Sequence, residues 1–369
     1  MVDDRSAPKA GAGGKRLTIA DIAARAGLSK VSVSYALNGR PGVSATTRGR
    51  VLAIAREMGW SPNSAARALS ASRSGIIGLV LGRSPRLLGV EPFYMELIGG
   101  VESVLTESSA ALLLKVVPDP GDEARIYREW WNSRRVDGVI VTDVRTGDDR
   151  LAALADIGMP AVVIGSSPTF ATDFATSTLW TDDVRPMEAV VRYLAGLGHR
   201  RLARVSGPPT LAHCAERTDV FRRTAAGLGL EPTLVIEADF TGEKGAQATR
   251  EALLARERPT AIIFDNDVMA VAAVGVAGEM GISVPRDLSL IAWNDSALCT
   301  LTHPPLSAMS RDIPAIGADA ARLLLDGMTG AAPVARETPP YILTPRGTTA
   351  PAPTEPPPSG GVRRWDSDG

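Results

Sequence analysis

The stretch LTIADIAARAGLSKVSVSYALN, residues 17–38, reads as two short helices separated by a tight turn. Thr18 followed three residues later by Asp21 is a capping-box arrangement, in which the two residues satisfy backbone amides at a helix start. Ile22, Ala23 and Ala26 then fall on one face at helical spacing. Gly27 can take the left-handed conformation that a sharp exit needs. Ser29 caps a second helix, Val33, Ala36 and Leu37 form its inward side, and Asn38-Gly39 closes it. A third helix starts at Ser44 and offers Val51, Ile54, Ala55 and Met58 to the same small core. Two helices joined by a short Gly-containing turn, with a third to complete the core, predict a helix-turn-helix unit whose second helix enters the major groove of DNA.

The charge distribution agrees with that reading. The chain has 369 residues and a net charge of −1, yet residues 1–74 hold 12 Lys/Arg against 4 Asp/Glu, a surplus of +8. The remainder is therefore acidic, at −9, and a polyanion partner is expected for the amino-terminal unit alone. Near the amino end of the second helix the outward residues are Lys30, Val31, Ser34 and Tyr35, with Asn38 at its close. Lys can donate to guanine O6 and N7, and Val can meet a thymine methyl. Thr18, Ser29, Ser44, Thr47 and Arg48 sit at helix starts, where hydroxyls and free backbone amides suit phosphates.

From residue 76 the texture changes. Short apolar runs recur at 76–81, 111–117, 138–142, 161–165, 202–206, 233–238, 261–265 and 288–293. They are continuous rather than alternating, which predicts strands buried on both faces of parallel sheets. Helix-period segments lie between them at 93–107, 122–134, 184–197, 213–227, 242–256 and 267–280, so βαβ units and an α/β fold are expected. The pattern also repeats. RRVDGVIVTD (134–143) and ERPTAIIFDND (257–267) each run from a helix end through a strand to an acid at the strand's carboxyl end. Two similar doubly wound lobes would hold a ligand in the cleft between those ends.

Other classes find little support. No apolar run approaches the roughly 18 residues needed to span a bilayer, and residues 1–16 hold no hydrophobic segment of the secretory kind, so a cytoplasmic protein is expected. Cys214 and Cys299 stand far apart and out of metal-ligand spacing. Among the histidines, His199 in Leu-Gly-His-Arg-Arg reads as structural, while His213 and His303 are isolated. An exported solute-binding protein would need a signal and would not carry the basic unit. An α/β enzyme would show a nucleophile elbow, a Walker loop or a dinucleotide-binding glycine motif, and none is present. No catalytic residue, metal or cofactor is expected.

The motifs taken in order resemble the lactose-repressor (LacI/GalR) family over about residues 17–347. They are residues 18–38, VSATTR (43–48), SPNSAARAL (61–69), IIGLV (76–80), VDGVIV (136–141), LGHRRLA (197–203), FDNDVMA (264–270) and VPRDLSLIAWND (284–295). The resemblance implies an amino-terminal all-α helix-turn-helix DNA-binding domain and an α/β two-lobed core like that of periplasmic binding proteins. It implies a homodimeric repressor on a palindromic double-stranded operator, with a small-molecule effector, a sugar by expectation, bound between the lobes. Residues 61–69 would form a hinge helix in which Asn63 and Ala66 face DNA and Leu69 wedges into the minor groove. Phe93, Arg217, Asp267 and Asn294 would contact the effector, and Trp180, Phe240 and Trp293, aromatics near strand ends, are core residues by default and candidates to stack on it. Departures occur at Tyr35, where many relatives carry Arg, at Arg185-Pro186, where Gly-Ala is usual, and at Asn294, where Asp is usual. The organisation expected is a disordered tail (1–16), DNA-binding domain (17–60), hinge and linker (61–75), effector and dimerisation core (76–347) and a second disordered tail (348–369). Prolines in that last segment leave no room for a tetramerising leucine-heptad helix, so a dimer is expected.

Overall fold

A computed structural model describes residues 17–60, 73–108, 110–165, 176–230 and 233–354. The chain divides into two units, Met1–Ser72 and Arg73–Gly369. The first holds α1 (Ile19–Ala26), α2 (Lys30–Leu37) and α3 (Ala45–Glu57). Their starts are fixed by the predicted caps. The Thr18 amide and hydroxyl both donate to Asp21 Oδ2 at 2.7 Å. The Ser29 hydroxyl accepts from the Ser32 amide at 3.1 Å, and the Ser44 hydroxyl from the Thr47 amide at 3.2 Å. Gly27 leaves α1 at φ +67°. Ile22, Val33 and Val51, one from each helix, are fully buried and knit the core, with Leu37, Ile54 and Met58 packed on it from outside.

The second unit contains two six-stranded sheets of matching design. The first lobe contributes β1 (Ile76–Leu81), β2 (Ala111–Val116), β3 (Gly138–Val141), β4 (Ala161–Ile164), β5 (Ser177–Trp180) and β11 (Ala335–Glu337), in the order β11-β5-β4-β3-β1-β2. The second contributes β6 (Leu202–Ser206), β7 (Leu234–Glu237), β8 (Ala261–Phe264), β9 (Ser289–Trp293), β10 (Ser307–Ser310) and β12 (Ile342–Thr344), in the order β12-β10-β9-β8-β6-β7. All neighbours are parallel except β10 and β12. In chain order the helices of this unit are α4 (Pro85–Leu88), α5 (Pro92–Ser108), α6 (Glu123–Asn132), α7 (Asp149–Ile157), α8 (Val184–Gly196), α9 (Ala212–Gly227), α10 (Gly242–Leu254), α11 (Asp267–Glu279), α12 (Ala297–Leu301) and α13 (Ile313–Met328). They cover both faces of each sheet, giving two apolar clusters per lobe.

The chain passes between lobes three times: after β5 at 181–183, after β10 at 311–312, and between β11 and β12 at 338–341. Helix α13 thus follows second-lobe strands but packs in the first lobe, against α5. The contact is backbone to backbone. A Cβ on Gly100 would sit 2.0 Å from the Pro314 carbonyl oxygen, and one on Gly317 would sit 2.1 Å from that of Leu97.

Two expectations are corrected. The runs at 111–117 and 233–238 read as buried on both faces, but β2 and β7 are sheet edges, with Leu114 41% exposed and Glu237 open to solvent. Local apolarity cannot tell an edge strand from a central one. Residues 348–354 were expected to begin a disordered tail, yet Thr348 is fully buried, donating to the Leu290 carbonyl and accepting from the Ser307 amide, each at 2.8 Å. His199, itself buried, pairs with Thr260 and with the Ala350 carbonyl. Backbone pairing, which composition does not encode, orders this segment.

The α5–α13 contact predicts a contrast between adjacent glycines. Gly100→Ala should cost about 1–3 kcal/mol by overpacking, whereas Gly99→Ala, at an exposed position with open space around it, should be neutral or slightly stabilising. Urea denaturation of the two variants measures the difference, and equal midpoints would contradict the close crossing.

Candidate functional site

Two surfaces carry chemistry. In the first unit, α2 presents Lys30, Val31 and Tyr35 to solvent, with Val31 60% exposed. An apolar residue this open beside a cation suits a surface that meets bases. Ser34 is half-buried and accepts from the Asn38 side chain, which also donates to the Ser34 carbonyl at 2.9 Å. Thr18, Ser29, Ser44 and Thr47 are all engaged in helix caps. Arg48 donates to the Arg40 carbonyl at 2.9 Å, bracing the loop between α2 and α3. The Tyr35 ring lies over Gly42, whose φ of +108° belongs to glycine. Asn63, Ala66 and Leu69 fall outside the described residues.

In the second unit a cleft opens between the lobes at the carboxyl ends of the strands. Its polar lining comes in opposed pairs. From the first lobe, Arg83 pairs with Asp143 at 2.9 Å, and Tyr94 donates its hydroxyl to the same carboxylate. From the second, Arg217 pairs with Asp183 at 2.7 Å, donates to the Tyr341 hydroxyl at 3.1 Å and approaches Asp265 at 3.5 Å. Arg204, fully buried below, grips both oxygens of Asp265 at 2.6 and 2.7 Å. Burial alone would raise the Asp143 and Asp265 carboxyls. The guanidiniums of Arg83 and of Arg204 and Arg217, respectively, outweigh it and hold each acid down at about 2. Burial, with repulsion from Arg217, pushes His213 down to about 4, so it is neutral. Glu91 is different: burial pushes it up to about 7 against the pull of Arg83, and its Oε2 has no partner among the described residues.

The lobes meet around this cleft. The Ala212 amide donates to the Val144 carbonyl at 2.9 Å, and the Thr146 amide to the Thr210 carbonyl at 3.1 Å. The Arg83 guanidinium lies 4.7 Å from the centre of the Phe240 ring, and Leu87 packs into a second-lobe core.

Of the residues expected to contact an effector, Phe93, Arg217 and Asn294 line the cleft. Asn294 takes φ +71°, and its Oδ1 is buried without a partner among the described residues. Asp267 and Trp293 do not line it. Asp267 opens α11, where its Oδ1 accepts from the Val268 amide, while its buried Oδ2 has no hydrogen-bond partner among the described residues. Trp293 is fully buried and acts through Arg217, whose guanidinium stacks 4.5 Å above its ring. Sequence reasoning missed Arg83, Glu91, Asp183, Arg311 and Tyr341, which lie in loops without a motif. Asp143 and Asp265 were visible as acids ending paired strands, and Phe240 as an aromatic after a strand.

Comparison with known proteins follows the same division. Residues 18–63 match the family described as bacterial regulatory proteins, lacI family, and residues 191–349 match a periplasmic binding protein-like domain. The HTH-type transcriptional regulator CelR of Thermobifida fusca is 31% identical over 86% of this chain and 93% of its own. A transcriptional regulator CelR–cellobiose complex superposes with a TM-score of 0.68 at 28% identity, covering 90% of this chain and all of that one. The lac repressor dimer bound to operator and the anti-inducer ONPF superposes at 0.79 with 25% identity, covering 91% and 100%.

The state of Glu91 gives a pH test. Its folded value lies above the unfolded carboxylate value, so the folded form holds a proton that the unfolded chain releases. Stability from this group is intact below about 4.5, falls as pH rises towards about 7, and is flat beyond. Glu91→Gln should therefore match the parent at pH 4 and exceed it at pH 8 by up to about 3 kcal/mol. Thermal unfolding at both pH values measures this, and a pH-independent difference would contradict it.

Proposed function

Because the chain belongs to the LacI family of bacterial regulatory proteins, we propose that it is a transcriptional repressor whose hold on DNA is set by a sugar in the cleft. The observation that carries the reading is the coexistence, in one chain, of a basic three-helix unit with an open recognition face and a two-lobed α/β unit with a polar cleft. It acts as a DNA-binding regulator controlled by an effector. The operator is palindromic, the protein binds it as a homodimer in the cytoplasm, and Lys30, Val31 and Tyr35 read the bases. Among the described residues no helix is long and apolar enough to cross a membrane.

The mechanism follows from where the cleft sits. Asp183, Arg311 and Tyr341, all in its lining, stand on the three crossings between lobes. A ligand touching them binds one lobe arrangement better than another, and that difference in affinity is what shifts a conformational equilibrium. Cellobiose in the CelR complex is the relevant precedent for a saccharide ligand. Phe93 offers a ring face to a sugar, and the Asn294 side-chain oxygen offers an acceptor to a hydroxyl.

Fluorescence anisotropy on the DNA upstream of the protein's own coding sequence, with and without saccharides, tests the proposal. Affinity should fall steeply with salt and change when an effector is added. Lys30→Ala should weaken the preferred site by about 1–3 kcal/mol and relax one base position in a binding-site selection. Equal weakening on all sequences would make Lys30 a phosphate contact instead.

A further inference from the structure

The cleft contains one cation too many. Arg83, Arg204 and Arg217 are matched by Asp143, Asp183 and Asp265. Glu91, the remaining acid of the lining, is buried, its carboxyl is pushed up by that burial, and it makes no ion pair with any described residue. Arg311 makes no ion pair with any described residue. Its Nη1 donates to the Thr181 hydroxyl at 3.1 Å, and its guanidinium is held 4.5 Å from the centre of the Tyr341 ring and 5.8 Å from that of Phe93. Nε is shut off from solvent without a partner, and the one side-chain hydrogen bond of Arg311 among the described residues is that from Nη1. That leaves the Nε–Nη2 edge unpaired, with Nη2 open to the cleft and able to give a charge-assisted hydrogen bond to a ligand carboxylate. Stacking on Tyr341 and the bond to Thr181 fix its plane, so little freedom is lost on binding.

A neutral sugar leaves this edge without a charged partner, at the cost of a half-buried, uncompensated cation. A ligand carrying a carboxylate beside hydroxyls satisfies it, while the unpartnered Asn294 oxygen accepts from a hydroxyl. We propose that the ligand of this cleft is a sugar acid whose carboxylate is held by Arg311. The inference rests on the reading of the cleft as an effector site and narrows the effector to one chemical class.

Isothermal titration calorimetry on the full-length protein tests it with D-glucuronate, D-galacturonate and D-gluconate against D-glucose, D-galactose and cellobiose. At least one acid should bind more tightly than its neutral counterpart by about tenfold or more, and Arg311→Gln should weaken that acid by about 10- to 100-fold, to the level of the neutral sugar. Arg311→Lys, which keeps the charge and loses the planar guanidinium stacked on Tyr341, should fall between. The lysine variant also carries the test if the Gln variant fails to fold by its thermal transition. A neutral sugar binding as tightly as its acid, or an acid indifferent to both variants, overturns the proposal and leaves the effector reading standing. No heat from any of the six probes overturns the sugar-acid assignment, while a DNA affinity that still responds to other small molecules would preserve the effector reading.

Discussion

The second unit turns on one buried guanidinium. Arg217 rises from α9 and ties together three places far apart in sequence: Asp183 on the first crossing, Tyr341 on the third, and Asp265 at the end of β8. Its face rests on Trp293, and Asp265 is in turn locked by Arg204. A charge this buried is tolerated only while its partners are in place, because removing one leaves the others unpaired in a medium that solvates them poorly. The arrangement is therefore either whole or broken. Since two of its members stand on the passages between lobes, the disposition of the lobes and the chemistry of the cleft floor are one constraint.

The same logic explains why the cleft is polar although both lobes have apolar cores. Strands β1, β3, β6 and β8 end at the cleft, and parallel strands expose their carboxyl ends there. Asp143 and Asp265 follow those ends and need cations; Arg83 and Arg217 answer from opposite lobes. Arg311 stands at the middle crossing with no such answer among the described residues. The amino-terminal unit works on a different scale. Its core is a handful of side chains around Ile22, Val33 and Val51, and caps fix its helix starts, leaving the exposed side of α2 free of structural duties.

Much of this was legible in the residues. The helix starts at Thr18, Ser29 and Ser44 were readable because capping is local chemistry between neighbours a few positions apart. The long apolar runs gave the central strands for the same reason. What failed was non-local. The segment after β10 has no feature saying that α13 returns to the first lobe; that is decided by Gly100 and Gly317, which let two helices touch. Thr348 looked like tail because only its bonds to Leu290 and Ser307 order it. In the cleft, Phe93, Arg217 and Asn294 were found through resemblance, and Asp143 and Asp265 through their strand-end positions. Arg83, Glu91 and Arg311 are single charged residues in loops, and only folding gives them a common address.

The claim that cleft and crossings form one device is tested most directly by hydrogen–deuterium exchange of the free protein and of the protein saturated with the saccharide that most alters its DNA affinity. Exchange should slow at the amides of Thr146 and Ala212, which bond across the lobes, and at Thr338, which bonds to Trp180 beside the first crossing. A change in DNA affinity with these amides unaffected would contradict the account.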